Sequence, residues 1–185
     1  MKSEIHRILG RILNDIRVEM TDEFDQNFER QSFFGEAWQR RKSPIRQGGH
    51  ILVDTGRLRR SIQSRTTDNS ITFFTEEPYA AIHNEGGEIV VTKKMKGYFW
   101  HKYYETVGSF NRKKDGSRSN NKRTVQLSEE AEFWKCMALK KAGTTIKIPR
   151  RRFLGTSPEV EKAVREIIEE NITEYINFEF GINEK

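Results

Sequence analysis

A long one-sided apolar stripe runs along each end of this chain, and two such stripes restrict what it can become. Ile5, Ile8, Leu9, Ile12, Ile16, Met20, Phe24 and Phe28 recur at spacings of three and four. That spacing puts them on one helical face and predicts a helix over 2–30. At the other end Val160, Val164, Ile167, Ile168, Ile172, Tyr175 and Ile176 repeat the pattern behind Ser157 and Pro158. Ser157 is a good cap, and Pro158 falls at the first helical position, where its missing N–H costs nothing. Neither stripe is stable facing water, so both helices must cover something.

The candidates for what they cover are short strands. Ile71–Thr75 follows a Thr-Thr-Asp-Asn turn cluster; Glu88–Thr92 and Thr144–Ile148 are the other two apolar, β-branched runs. The expected fold class is therefore α+β, a small and mainly antiparallel sheet covered by long N- and C-terminal helices. Asp54-Thr55-Gly56 reads as the start of a short helix over about 55–64, and Pro78 to Asn84 as a helical turn stopped by Gly86-Gly87. Phe33, Phe34 and Trp38 precede a basic loop containing Arg40, Arg41, Lys42 and Pro44.

If 88–92 pairs with 144–148, residues 93–143 are an insertion at the tip of a hairpin within one domain spanning 1–185. The insertion opens with an aromatic cluster, Tyr98, Phe99, Trp100, Tyr103 and Tyr104. A polar run over 108–124 follows, with six Lys or Arg against one Asp. That local balance of +5 supplies most of the net +6 of the whole chain, so the high pI belongs to one loop. The run lacks the apolar area to offset ordering entropy and is expected to be mobile. Ser128, followed by Glu129 and Glu130, then reads as the cap of a second helix stopped by Gly143.

Composition and motif spacing disfavour several function classes. The single Cys136 rules out an intramolecular disulfide and any thiol-based zinc framework. The first residues alternate charge with apolar side chains, and no stretch reaches membrane-spanning length, so a cytoplasmic chain with no membrane partner is expected. His6, His50, His83 and His101 are scattered without metal-ligand spacing. His83-Asn84-Glu85 resembles a nuclease triplet only faintly, because no second metal-binding half accompanies it. Gly48-Gly49 and Gly86-Gly87 lack the Lys-Ser/Thr ending of a phosphate loop. No catalytic residues, metal ligands or cofactor site are expected.

Three segments in order resemble the phage virion morphogenesis (tail-completion) family: Leu52-Val-Asp-Thr-Gly-Arg-Leu58 leading to Ser61-Ile62, Tyr79-Ala-Ala-Ile-His83-Asn-Glu-Gly86, and Pro149-Arg-Arg-Arg-Phe-Leu-Gly155 opening a C-terminal helix. The segment between the second and third is longer than the family pattern. The resemblance implies a non-enzymatic structural protein of phages and prophages, acting in tail completion or head–tail joining. It also implies self-association into rings, contact with phage tail or neck proteins, and a place in the virion after assembly in the host bacterial cytoplasm.

Rings need two unlike surfaces on each subunit. The expected assembly surface pairs Arg150, Arg151, Arg152, Phe153 and Leu154 with Glu166 and Glu170 of the acidic last helix. From 159 onward the chain carries eight Glu against three Lys or Arg. The competing function is a nucleic-acid-binding module whose phosphate contacts would be Arg112, Lys113, Lys114, Arg118, Lys122 and Arg123, making at least a weak DNA contact.

Overall fold

The computed structural model describes residues 2–45 and 48–181. Glu184 and Lys185 of the acidic tail lie outside the described residues. In chain order the elements are α1 (Lys2–Arg30), β1 (Ser32–Phe33), β2 (Glu36–Ala37), α2 (Arg57–Arg60), β3 (Gln63–Thr66), β4 (Ile71–Phe74), α3 (Ala80–Glu85), β5 (Gly87–Val90), α4 (Lys93–Gly108), α5 (Lys122–Leu139), β6 (Thr145–Ile148) and α6 (Pro158–Phe180). The fold class is α+β, with long terminal helices as expected.

The strands do not share one sheet. They form three separate antiparallel ladders, β1–β2, β3–β4 and β5–β6. The partner of β4 is β3, whose first two residues, Gln63 and Ser64, fall inside the helix expected over about 55–64. The helix α2 stops at Arg60, and Gln63 pairs with Phe74 and Thr66 with Ile71. Gln63-Ser-Arg-Thr66 has no apolar alternation of its own; it is a strand because β4 lies beside it, a tertiary effect that outweighs local preference.

The chain divides into two compact units: Met1–Trp38, His50–Glu85 and Arg150–Lys185 form the first, and Gln39–Gly49 with Gly86–Pro149 the second. In the first unit, α1 and α6 run antiparallel. Arg11 near the start of α1 bonds Glu174 near the end of α6 at 2.6 Å, while Ile16, Met20 and Phe24 share a buried cluster with Val160 and Ile167. Phe24 anchors that cluster, meeting Phe73 of β4 edge-on at 5.1 Å. The cap on α6 is as expected: the Ser157 hydroxyl accepts from the Val160 N–H, and Pro158 opens the helix. The cap hydroxyl and nearby backbone N–H groups hold the Glu159 carboxyl below its ordinary range, backbone hydrogen bonding contributing most.

In the second unit β5 pairs with β6, Gly87 opposite Ile148 and Val90 opposite Thr145. Glu88 faces Lys147 across the ladder, a favourable opposite-charge pair. The helices α4 and α5 form a hairpin. Thr124, Ala131 and Ala138 are buried, and their spacing of seven sets small side chains in one seam, so the backbones can approach closely. Phe99 stacks on Trp134 at 6.0 Å, and the Lys96 ammonium donates to the Lys140 carbonyl at 2.7 Å.

Two starts in this unit differ from expectation. The aromatic cluster lies on a helix of its own, α4, capped by Thr92, whose hydroxyl accepts from the Met95 N–H at 3.2 Å. α5 begins at Lys122 behind Asn121, not at Ser128. Asn121 accepts from Thr124 N–H at 2.8 Å, and the Ser128 hydroxyl instead donates back to the Thr124 carbonyl at 2.7 Å, inside the helix. Lys122 and Arg123 disguised this start, because cations in a first turn oppose the helix dipole and the acidic pair Glu129-Glu130 suits it better. The polar run is correspondingly shorter, and it is turned: Arg112 bridges Arg118, and Lys113 N–H donates to the Ser117 carbonyl at 2.8 Å.

Candidate assembly site

The three sequence motifs converge on one packing centre in the first unit. Phe28 of α1 is fully buried and touches Trp38 edge-on at 5.6 Å and Phe153 at 5.4 Å. Leu58 from the first motif and Ala80 from the second complete that cluster, with Leu52, Val53 and Leu154 packed around it. Each motif therefore contributes an apolar plug to the same core.

Asn84 locks the second motif to the third. Its Oδ1 accepts from the Phe153 N–H at 3.0 Å and the Leu154 N–H at 3.1 Å, and its Nδ2 donates to the Leu154 carbonyl at 3.0 Å and to Glu85 at 2.6 Å. One side-chain amide thus serves the backbone of an irregular segment that has no ladder partner at those atoms. The neighbouring backbone continues the pattern: the Arg151 N–H donates to the His83 carbonyl at 2.8 Å. Trp38 closes it from the other side, its indole N–H donating to the Arg152 carbonyl at 2.6 Å.

The backbone of the third motif needs its glycine. Gly155 has φ of 129°, and an added Cβ would lie 2.9 Å from an Arg152 guanidinium nitrogen. That guanidinium lies over the Phe33 ring at 4.7 Å and donates to the Thr156 carbonyl. In the first motif Gly56 has φ of 72°, a left-handed position that opens α2 and that residues with a Cβ rarely adopt. Behind it Arg59 ties α2 to α1. Its guanidinium grips Asp25 through two contacts of 2.5 Å and also reaches Glu29. Those bonds, the one to Asp25 first, hold it more firmly protonated than an ordinary arginine.

The structure places the expected assembly residues differently. Phe153 is 1% exposed and Arg151 8%, and Arg152 and Leu154 are half-buried. The basic triplet is thus mainly a packing element with Arg150 alone exposed, a correction that follows from Asn84 and Trp38 drawing its backbone inward. Glu166 and Glu170 are exposed on α6. Arg112, Lys113, Lys114, Arg118, Lys122 and Arg123 are all exposed in the second unit. Burial, and then the nearby Arg151 cation, push the His83 imidazole below its ordinary pKa. Cys136 is exposed on α5. Among the described residues no three His, Cys, Asp or Glu are grouped to hold a metal ion, and no helix is long and apolar enough to cross a membrane.

In the sequence Asn84 stands in a weak triplet and in the second family motif, with no role of its own. Its backbone partners lie about seventy positions away, so nothing local marks it. Asn27 had a signal: an amide inside the apolar stripe between Phe24 and Phe28. It is fully buried, and its Oδ1 accepts from the Phe34 N–H at 3.2 Å.

The free ends of the helix pair are the other distinctive surface. At the start of α1 Ile5 is 59% exposed and Leu9 38%; at the end of α6 Ile172 is 43%, Ile176 41% and Phe178 83% exposed. These residues belong to the two stripes, or adjoin them, yet nothing among the described residues covers them. Nearer the middle of the pair, an apolar groove of about 580 Å³ runs between α1, β4 and α6, lined by Leu13, Phe24, Phe73, Val160, Val164 and Ile168 among others.

The three motifs thus interlock as core around Phe28, and large apolar side chains stay exposed at the other end of α1 and at the end of α6. A family model described as the phage virion morphogenesis family matches residues 4–173. The chain belongs to that family, and its role is in phage virion structure or assembly. No curated protein and no solved structure matches it.

Proposed function

We propose that this chain is a tail-completion or head–tail joining protein, a non-enzymatic subunit that acts by binding its neighbours in the virion. The observation that carries this reading is the uncovered apolar end of the α1–α6 pair. Several large apolar residues exposed together mark a protein contact, since a solitary folded chain gains by covering them. In this reading the end formed by Ile5, Leu9, Ile172, Ile176 and Phe178 meets a tail or neck protein or the next copy in a ring. Exposed Arg150, Glu166 and Glu170 set orientation, and the interlocked motifs keep the unit rigid. Charges of this kind mainly steer approach and are screened at physiological salt, so the apolar end supplies the affinity. Assembly then takes place in the host cytoplasm, and the finished subunit stays with the particle.

The test is complementation of a phage lacking the gene. Electron microscopy of the lysate should show filled heads and finished tails lying apart, and the wild-type gene should restore joined particles. Ile176→Glu should purify folded yet fail to restore joining. Arrest before heads or tails form, or full rescue by Ile176→Glu, would overturn the reading.

A further inference from the structure

The division into two units also divides the charge. The second unit, 39–49 and 86–149, holds 18 Lys or Arg and 6 Asp or Glu, a net of +12. The first holds the other 15 Lys or Arg and 21 Asp or Glu, a net of −6. Together these give the chain's +6. The basic character is thus not confined to the run at 108–124: Arg40, Lys42, Lys93, Lys94, Lys140 and Lys141 belong to the same unit and are exposed. A net charge this large on so small a unit repels itself and lowers its own stability.

The polar turn between α4 and α5 concentrates the excess. Arg112, Lys113, Lys114, Arg118, Lys122 and Arg123 are all exposed, and none has a carboxylate partner among the described residues. Asp115, the one acid of the turn, is occupied with the backbone N–H and hydroxyl of Ser117, at 2.9 and 2.6 Å, which hold its carboxyl below the ordinary range. Arg118 lies over the Phe110 ring at 5.4 Å, and the Arg112 guanidinium donates to the Gly116 carbonyl at 3.2 Å. These contacts fix the positions of two guanidinium groups without neutralising either. A turn of opposed short segments therefore presents cations that no described carboxylate pairs.

We propose that the second unit binds nucleic acid through its phosphate backbone, without reading sequence, and that these six side chains are its principal contacts. A polyanion with regularly spaced charges is the partner this arrangement fits. Each phosphate neutralised by Lys or Arg releases condensed counterions, so binding of this kind is steeply salt-dependent. The inference rests on the second unit alone and is independent of head–tail joining, which was argued from the first.

Purified full-length protein is titrated onto a fluorescent random-sequence DNA duplex, and separately onto a single strand, and anisotropy is read across salt concentrations. Six duplex phosphate contacts predict a slope of log affinity against log salt of about −5, and about a thousandfold weakening between about 50 and 200 mM salt. Replacing Lys113, Lys114 and Arg118 together by Gln should roughly halve the slope, whereas Lys113→Arg with Lys114→Arg should keep it. Arg17→Gln in the first unit should change nothing. Tighter binding of the single strand would assign the contact to unpaired backbone with stacking on exposed Tyr98 or Tyr104; tighter binding of the duplex would assign it to paired DNA. Absence of binding at low salt, or an unchanged slope in the triple Gln variant, overturns the proposal. It is equally overturned if the triple variant loses only self-association by sedimentation, which would give these cations to the acidic unit of a second copy.

Discussion

Removing the Asn84 amide tests whether the motifs are a structural lock. Asn84→Ala deletes three bonds to the backbone of Phe153 and Leu154 and leaves two N–H groups and a carbonyl to find other partners in a half-buried site. At about 1 kcal/mol net for each bond, the first unit should lose about 3 kcal/mol. With a urea dependence of about 2 kcal/mol per molar, the midpoint should fall by about 1.5 M at unchanged slope. The chain has three tryptophans, so Trp100→Phe with Trp134→Phe leaves Trp38, which sits in this centre, as the fluorescent reporter. Asn84→Asp keeps both acceptor groups but sets a carboxylate oxygen against the Leu154 carbonyl and the Glu85 carboxylate; it should be destabilising as well. Glu85→Ala, one position on and exposed, should leave the midpoint in place. A loss below about 0.5 kcal/mol in Asn84→Ala would refute the lock, since even one unreplaced bond costs more than that.

Three further outcomes follow from the same centre. Phe153→Ala should destabilise the first unit by about 3–5 kcal/mol by urea titration, whereas Phe178→Ala, at a largely exposed ring, should cost under about 0.5 kcal/mol. Gly155→Ala should lose about 1–3 kcal/mol from its strained backbone and the displaced Arg152, readable as a lower melting temperature in calorimetry. His83 gives a pH dependence: its folded pKa is depressed by burial and by Arg151, so between that value and about 6.5 the unfolded chain binds more protons and stability rises with pH. This contribution is fully present above about pH 6.5 and is lost as pH falls through the folded pKa. His83→Gln should flatten that part of a stability-versus-pH curve.

Sequence alone determined the elements whose information is local. The stripe from Ile12 to Phe28 and the Ser157–Pro158 start of α6 depend on residues within a few turns of one another, so periodicity and capping chemistry were enough to find them. The family motifs were legible for the same reason, being short contiguous runs. What they do was not, because their partners are remote. Arg151 and Phe153 read as the edge of a charged surface until Asn84 and Trp38 are seen drawing that backbone into the core. The strand β3 exists because β4 pairs with it, and α5 begins at Lys122 behind Asn121 although Lys122 and Arg123 argue electrostatically for a later start. The sharp division of charge, +12 in one unit and −6 in the other, is likewise hidden in the linear chain. The basic unit is assembled from two separated segments, and only the tertiary structure decides which segments share a surface.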